Sequence, residues 1–209
     1  YVEFNFGYWG MNLTNPTKNV GFKFFNTGPA RIYGVDLSAV GEGKLFGDVS
    51  ISAMAGYTYS IPQAKDPDYI FYNNPYNPKN SLNYLNTSSD TNGYILKYRV
   101  QSLLKADLQV TWKRISIGFG GRYYGFMKNI DKFFEDVLDG QMFGVKTGIK
   151  KYREEHNTGT MIVDFRASYA LRHFKFSCII NNMFNTEFSL RPLTVEPMRM
   201  SQFQVIYKI

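Results

Sequence analysis

One cysteine, Cys178, is too few for any disulfide framework within the chain. No run of 18 apolar residues occurs, which excludes a membrane-spanning helix. A spanning strand stays open, because it needs only about 9–11 residues with alternate positions apolar. No signal peptide is visible, and Tyr1-Val2-Glu3-Phe4-Asn5-Phe6 is already strand-like, so the start is expected to be a truncation or processing point. The two histidines, His156 and His173, lie far apart, and Cys178 has no predicted base. Neither a phosphate loop nor a metal motif is present, and Glu154-Glu155-His156 reads as solvated loop charge. No catalytic residue, metal site or cofactor is expected. The net charge of +7 is scattered without any nucleic-acid motif, which argues against a nucleic-acid partner.

Rings are what the chain has in abundance. Tyr, Phe and Trp make up 17% of it, a share that a soluble core can hold but that a barrel needs for its two interfacial girdles. Alternation with period two recurs along the chain. In 47–60, Val49, Ile51, Ala53, Ala55, Tyr57 and Tyr59 share one face, and Met54 interrupts the polar one. Around Leu104, the residues Leu104, Ala106, Leu108, Val110 and Trp112 oppose Lys105, Asp107, Gln109, Thr111 and Lys113. The end repeats the pattern with Phe203, Val205, Tyr207 and Ile209.

Eight strands are predicted, at 1–9, 20–42, 47–60, 97–113, 114–127, 158–171, 173–184 and 198–208. Short connections (43–46, 113–114, 172–173) alternate with long ones (10–19, 61–96, 128–157, 185–197). That sorting is the outer-membrane pattern, and a soluble sandwich has no reason to adopt it. A two-residue turn at Lys113-Arg114 pairs Trp112 with Ile115, Val110 with Ile117, Leu108 with Phe119, Ala106 with Gly121 and Leu104 with Tyr123. A turn at Arg172-His173 pairs Leu171 with Phe174, Tyr169 with Phe176, Ala167 with Cys178 and Phe165 with Ile180. Each register gathers the apolar residues on one side, as it must where one face is buried. Gly118, Gly120, Gly121 and Gly125 are read as relief of crowding where the wall curves. One helix is predicted over Asn129–Leu138, with Ile130, Phe133, Phe134, Val137 and Leu138 packing on their own loop; a substrate lid is the other reading.

Several stretches resemble the TonB-dependent outer-membrane receptors, particularly those of Bacteroidetes-type bacteria. Asn26-Thr27-Gly28 through Gly34-Val35-Asp36 is similar to an Asn-x-Gly…Gly-Val-Glu segment, with Asp36 where Glu is usual. Ala55-Gly56-Tyr57-Thr58-Tyr59, Asn181-Asn182-Met183-Phe184-Asn185-Thr186-Glu187-Phe188, and Arg191-Pro192 with Glu196-Pro197-Met198-Arg199 follow in family order. The resemblance implies an all-β antiparallel transmembrane barrel of 22 strands with a plugged lumen, of which this chain supplies about the last eight. It also implies an N-terminal plug outside residues 1–209, an inner-membrane energy-transducing complex as partner, and uptake of a scarce nutrient such as a siderophore, haem, cobalamin, glycan or peptide. Ile209 departs from the aromatic ending usual in the family. A non-transporting barrel that anchors surface partners is the rival function, and a closed eight-stranded barrel the rival fold; contact between 1–9 and 198–208 would decide the latter.

From these readings the short turns are expected at the periplasm and the long loops outside. Trp112, Phe174 and Tyr207 would then form the inner aromatic girdle and Tyr57, Tyr59 and Tyr123 the outer one. Phe203, Val205, Tyr207 and Ile209 would form the insertion signal. Cys178 is expected to be lipid-facing and unreactive. Lys105 and Arg122 face each other across one register, and Asp107 is expected to bridge them, on wall that the plug docks against.

Overall fold

The computed structural model describes residues 2–4, 20–22, 26–74, 77–137, 148–190 and 194–208. Among them β1 (Val2–Phe4) and β2 (Val20–Phe22) form an antiparallel pair. A seven-stranded antiparallel sheet follows in strict chain order. Its strands are β3 (Ala30–Phe46), β4 (Val49–Ala64), β5 (Ser102–Trp112), β6 (Ile115–Tyr124), β7 (Thr160–Leu171), β8 (Phe174–Asn181) and β9 (Met200–Tyr207). Among the described residues this sheet is open. β3 and β9 are its edges, and β1 pairs with β2 rather than with β9, unlike the closed eight-stranded alternative. No helix among the described residues is long and apolar enough to cross a membrane.

Pleating separates the two faces. Trp112–Ile115, Leu108–Phe119 and Leu104–Tyr123 pair across β5 and β6, and Ala167–Cys178 and Phe165–Ile180 pair across β7 and β8, as the turn arithmetic predicts. The apolar face continues through Val49, Ile51 and Tyr57 of β4 and Phe203, Val205 and Tyr207 of β9. It is largely exposed, with Phe119, Phe176 and Val205 all open, so the face is built for an apolar surrounding and not for a protein core.

The two-residue turns are Gly47-Asp48, Lys113-Arg114 and Arg172-His173, each with a left-handed first residue (φ +51°, +51° and +48°). Glycine suits that conformation; lysine and arginine adopt it at roughly 1–2 kcal/mol each. The first turn lies past the expected 43–46, because β3 runs on to Phe46 through a bulge between Lys44 and Phe46. The segment predicted as one strand over 20–42 is divided between β2 and β3. Residues 97–101, predicted as strand, belong to the preceding loop, where their hydrogen-bonding groups find other partners. Most of the strand expected at 1–9 lies outside the described residues.

Cys178 sits opposite Ala167 on the apolar face. In intact outer membranes a membrane-impermeant charged maleimide should leave it unlabelled over minutes. Rapid charged labelling, read by mass spectrometry, would place it in water instead.

Candidate functional site

The polar face of the sheet carries a linked set of charges. Arg166 on β7 donates to both carboxylate oxygens of Asp107 on β5, at 2.6 and 2.5 Å, and to the Gln109 side chain at 3.2 Å. These contacts reach over β6, the strand between. They fit because Gly118 lies beneath the guanidinium: a Cβ there would come within 2.7 Å of the Arg166 Nε. A Cβ at Gly120 would lie 3.4 Å from the Asp107 Oδ2, an ordinary contact, so the carboxylates there do not demand glycine. Gly118 therefore clears a path for a long side chain, a more specific role than relief of wall curvature. Arg122 pairs with Asp164 at 3.0 Å, and Asp164 also accepts the Asn182 backbone N–H at 2.8 Å.

Lys105 and Arg122 do oppose each other in register. The bridge expected from Asp107 to both is replaced, because each acid meets an arginine on a different strand. Asp107 takes Arg166 and Arg122 takes Asp164. An aspartate is too short to serve cations on two flanking rows once a guanidinium offers a two-pronged fit. Both partners of the Asp107–Arg166 pair are about a third exposed (35% and 30%), so solvent screening holds its worth to about 1 kcal/mol.

The long β4–β5 and β6–β7 connections lock together beyond the sheet. Asn129, fully buried, donates to the Ile95 carbonyl at 2.7 Å and the Tyr84 hydroxyl at 2.9 Å, and accepts from the Asp90 N–H at 3.3 Å. Two residues on, Asp131 accepts from Lys97 and Tyr98, both at 2.5 Å. Ile130 and Phe134 are buried between these contacts, against Tyr98, Met127, Phe133 and Ile149. The predicted helix over Asn129–Leu138 is thus shorter. Asn129–Asp131 are extended and bonded to the facing loop, a helical turn covers Phe133–Val137, and Leu138 lies outside the described residues. Arg153, on the short helix α1 (Ile149–Glu155), closes the assembly on Glu135 at 2.5 Å. Burial and the bond to Asp131 raise the Tyr98 phenol well above the tyrosine range, and burial raises Tyr84 too. Both stay neutral donors at physiological pH. Their contribution to stability is complete below about pH 10 and falls above it, where the unfolded chain ionises first.

The aromatic residues named from the sequence fall in two sets on the apolar face. Trp112, Phe174 and Tyr207 stand at the turn end, with the Phe174 and Tyr207 rings 5.0 Å apart. Tyr57 and Tyr123 flank Leu104 near the loop end, and Tyr59 lies one pair further out. Phe203, Val205 and Tyr207 share the apolar face of β9; Ile209 is outside the described residues.

The family described as TonB dependent receptor-like, beta-barrel matches residues 4–183. The chain belongs to that family. No curated protein matches it. The family is one of outer-membrane receptors and transporters, so this sheet is receptor-barrel wall with an apolar face toward lipid and a charged face toward the lumen.

In the receptor barrel, the Asn181-to-Phe188 motif acts as a loop-building device. Asn182 and Asn185 adopt left-handed φ (+50° and +57°), which asparagine tolerates better than most residues. The Asn182 side chain closes on the backbone of Thr186 at 2.8 Å in both directions, and Asn185 accepts from the Arg199 N–H. Beside this loop, a cavity of about 510 Å³ opens between the β6–β7 and β8–β9 connections. Tyr124, Phe126, Ile149, Tyr152 and Phe188 line it, and Tyr124 stacks on Phe188 at an interplanar angle of 17°. Sequence reasoning missed this cavity, since its walls come from connections that share no periodicity.

Proposed function

We propose that this chain forms wall and extracellular loops of a receptor for energy-coupled uptake of a scarce nutrient. The plug, the remaining strands and the contact with the inner-membrane energy-transducing complex belong to the rest of the receptor, in a Bacteroidetes-type outer membrane. The observation that carries the reading is the asymmetry of the sheet's two ends, with three two-residue turns at one and two interlocked loops at the other. Interlocked loops beside an aromatic-lined cavity suit capture of a ligand from outside, and a charged lumen wall suits a moving plug. Siderophore, haem, cobalamin, glycan and peptide are the candidate substrate classes.

The spacing of the ring rows agrees with a bilayer. Trp112 to Leu104 spans roughly 27 Å along the strand at about 3.4 Å per residue. A tilt of about 40° reduces this to roughly 20 Å, close to the apolar band of an outer-membrane barrel.

Two experiments test the reading. Cells carrying the complete receptor should accumulate one of these substrate classes, and a protonophore should abolish accumulation without abolishing surface binding. Binding with no protonophore-sensitive uptake of any class would favour the anchoring barrel. For orientation, trypsin added to intact cells should cut after Lys150 or Lys151 on exposed α1 and spare Lys113 and Arg114. Cleavage confined to the 113–114 turn would invert the barrel.

A further inference from the structure

The turn end of the sheet is basic. The turns contribute Lys113, Arg114, Arg172 and His173, and Lys208 follows β9 at the same end; Asp48 is the one acid in the three turns. Backbone bonds hold these segments side by side. The Ala170 N–H donates to the Arg114 carbonyl at 2.9 Å and the Lys208 N–H to the His173 carbonyl at 2.7 Å. Lys113 reaches Asp48 at 4.0 Å, and its ammonium lies over the Trp112 ring. Arg114, Arg172 and Lys208 are exposed, with no acidic partner at ion-pair distance among the described residues.

Just above these cations the apolar face is dented. Ala167 and Cys178 oppose one another on a row flanked by Ile117 and Phe203. Tyr169 and Phe176 stand one row nearer the turns. Two small side chains among large ones leave an apolar groove of about 400 Å³. The groove is lined from Ile115, next to Arg114, to Cys178, which lies on the order of 15 Å along the strand from the turn. A phosphate held at the turns places the first half of an acyl chain at that depth.

We propose that the turn end of β5–β9 binds an anionic phospholipid, with its phosphate on Arg114, Arg172 and Lys208 and one acyl chain in the groove over Ala167 and Cys178. Neutral lipid satisfies the groove but leaves the cations without a counter-ion. A soluble anion satisfies the cations but leaves the groove unfilled. An anionic phospholipid satisfies both, and clustered basic residues at a membrane surface favour it. Which leaflet supplies the lipid rests on the orientation proposed above.

The test uses the complete receptor, purified and reconstituted in phosphatidylcholine with a minor fraction of phosphatidylglycerol, and quantifies the lipid retained after delipidation. Wild type should retain phosphatidylglycerol over phosphatidylcholine by about tenfold relative to the mixture. The variant Arg114→Ser/Arg172→Ser/Lys208→Ser should retain both alike, with its melting temperature in pure phosphatidylcholine unchanged. Ala167→Phe, which fills the groove and keeps every charge, should also lower retention. Millimolar inorganic phosphate should not displace the lipid. Equal retention by wild type overturns the proposal, as does full retention in either variant or displacement by phosphate. An acidic periplasmic protein bound at these turns without lipid selectivity would give the first of those outcomes. The assay needs no uptake, so its failure and failure of the transport reading stay distinct.

Discussion

Replacing Asn129 with alanine should loosen the two long loops from each other around that residue while leaving the barrel wall intact. Its side chain joins its own loop to Tyr84, Ile95 and Asp90 of the facing one. Alanine removes two donated bonds and two accepted ones, from the Asp90 N–H and, at 3.5 Å, the Ser89 hydroxyl, in a fully buried setting. The Ile95 carbonyl keeps the Tyr84 hydroxyl at 2.6 Å, so the Asp90 N–H bears the main desolvation loss. Together these amount to about 2–3 kcal/mol of local stability. Hydrogen exchange should therefore accelerate on the order of 100-fold at the amides of Ser89, Asp90 and Tyr98, with β5–β7 amides unaffected. Asn129→Asp should be worse, because it puts a carboxylate oxygen where the amide nitrogen faced the Ile95 carbonyl. Unchanged loop exchange, or exchange rising equally through the sheet, would show that the loops are held by something else.

The other large effect is expected at Gly34. It pairs with Ser60 on β4, and a Cβ there would strike the Tyr59 carbonyl oxygen and the Ser60 Cα. Both are backbone atoms of a paired strand and cannot swing aside as the end of a side chain can. Gly34→Val should separate β3 from β4 near this point and destabilise the barrel by about 3 kcal/mol or more, the upper range for overpacking. Heat-resistant migration on gels should be lost at a lower temperature than for wild type. The control is Gly41→Ala, a position with nothing within 4 Å of the added carbon. If both variants melt alike, the close approach at Gly34 is not what requires glycine there.

Much of the wall was legible because a barrel strand writes its structure locally. The β5–β6 and β7–β8 registers followed from two-residue turns and alternation alone, and every predicted pair is present. The Asp107–Arg166 contact was not legible, although both residues were on the right face. It depends on the β6–β7 register, which places Gly118 beside Arg166 across a connection of 35 residues, from Gly125 to Gly159. No turn rule carries a register over that length. A usable signal did exist: a glycine stands on the polar face of β6 at 118, just where a long charged side chain must cross. The loop interlock was illegible for another reason. Asn129 and Asp131 sit at the start of a helix-like pattern, but buried partners from the other loop outweigh local propensity.

Sheet hydrogen bonds join each strand only to its immediate neighbours, so strands in a wall can slide and breathe in pairs. The Arg166 side chain, reaching over β6 to β5, restrains that freedom across three strands at once. A second tie, Arg122 to Asp164, and the Asn182 amide carry it into the start of the β8–β9 loop. This sector should behave as one stiff plate, so a load applied on its lumen side is passed on to the loop and does not simply bend the wall.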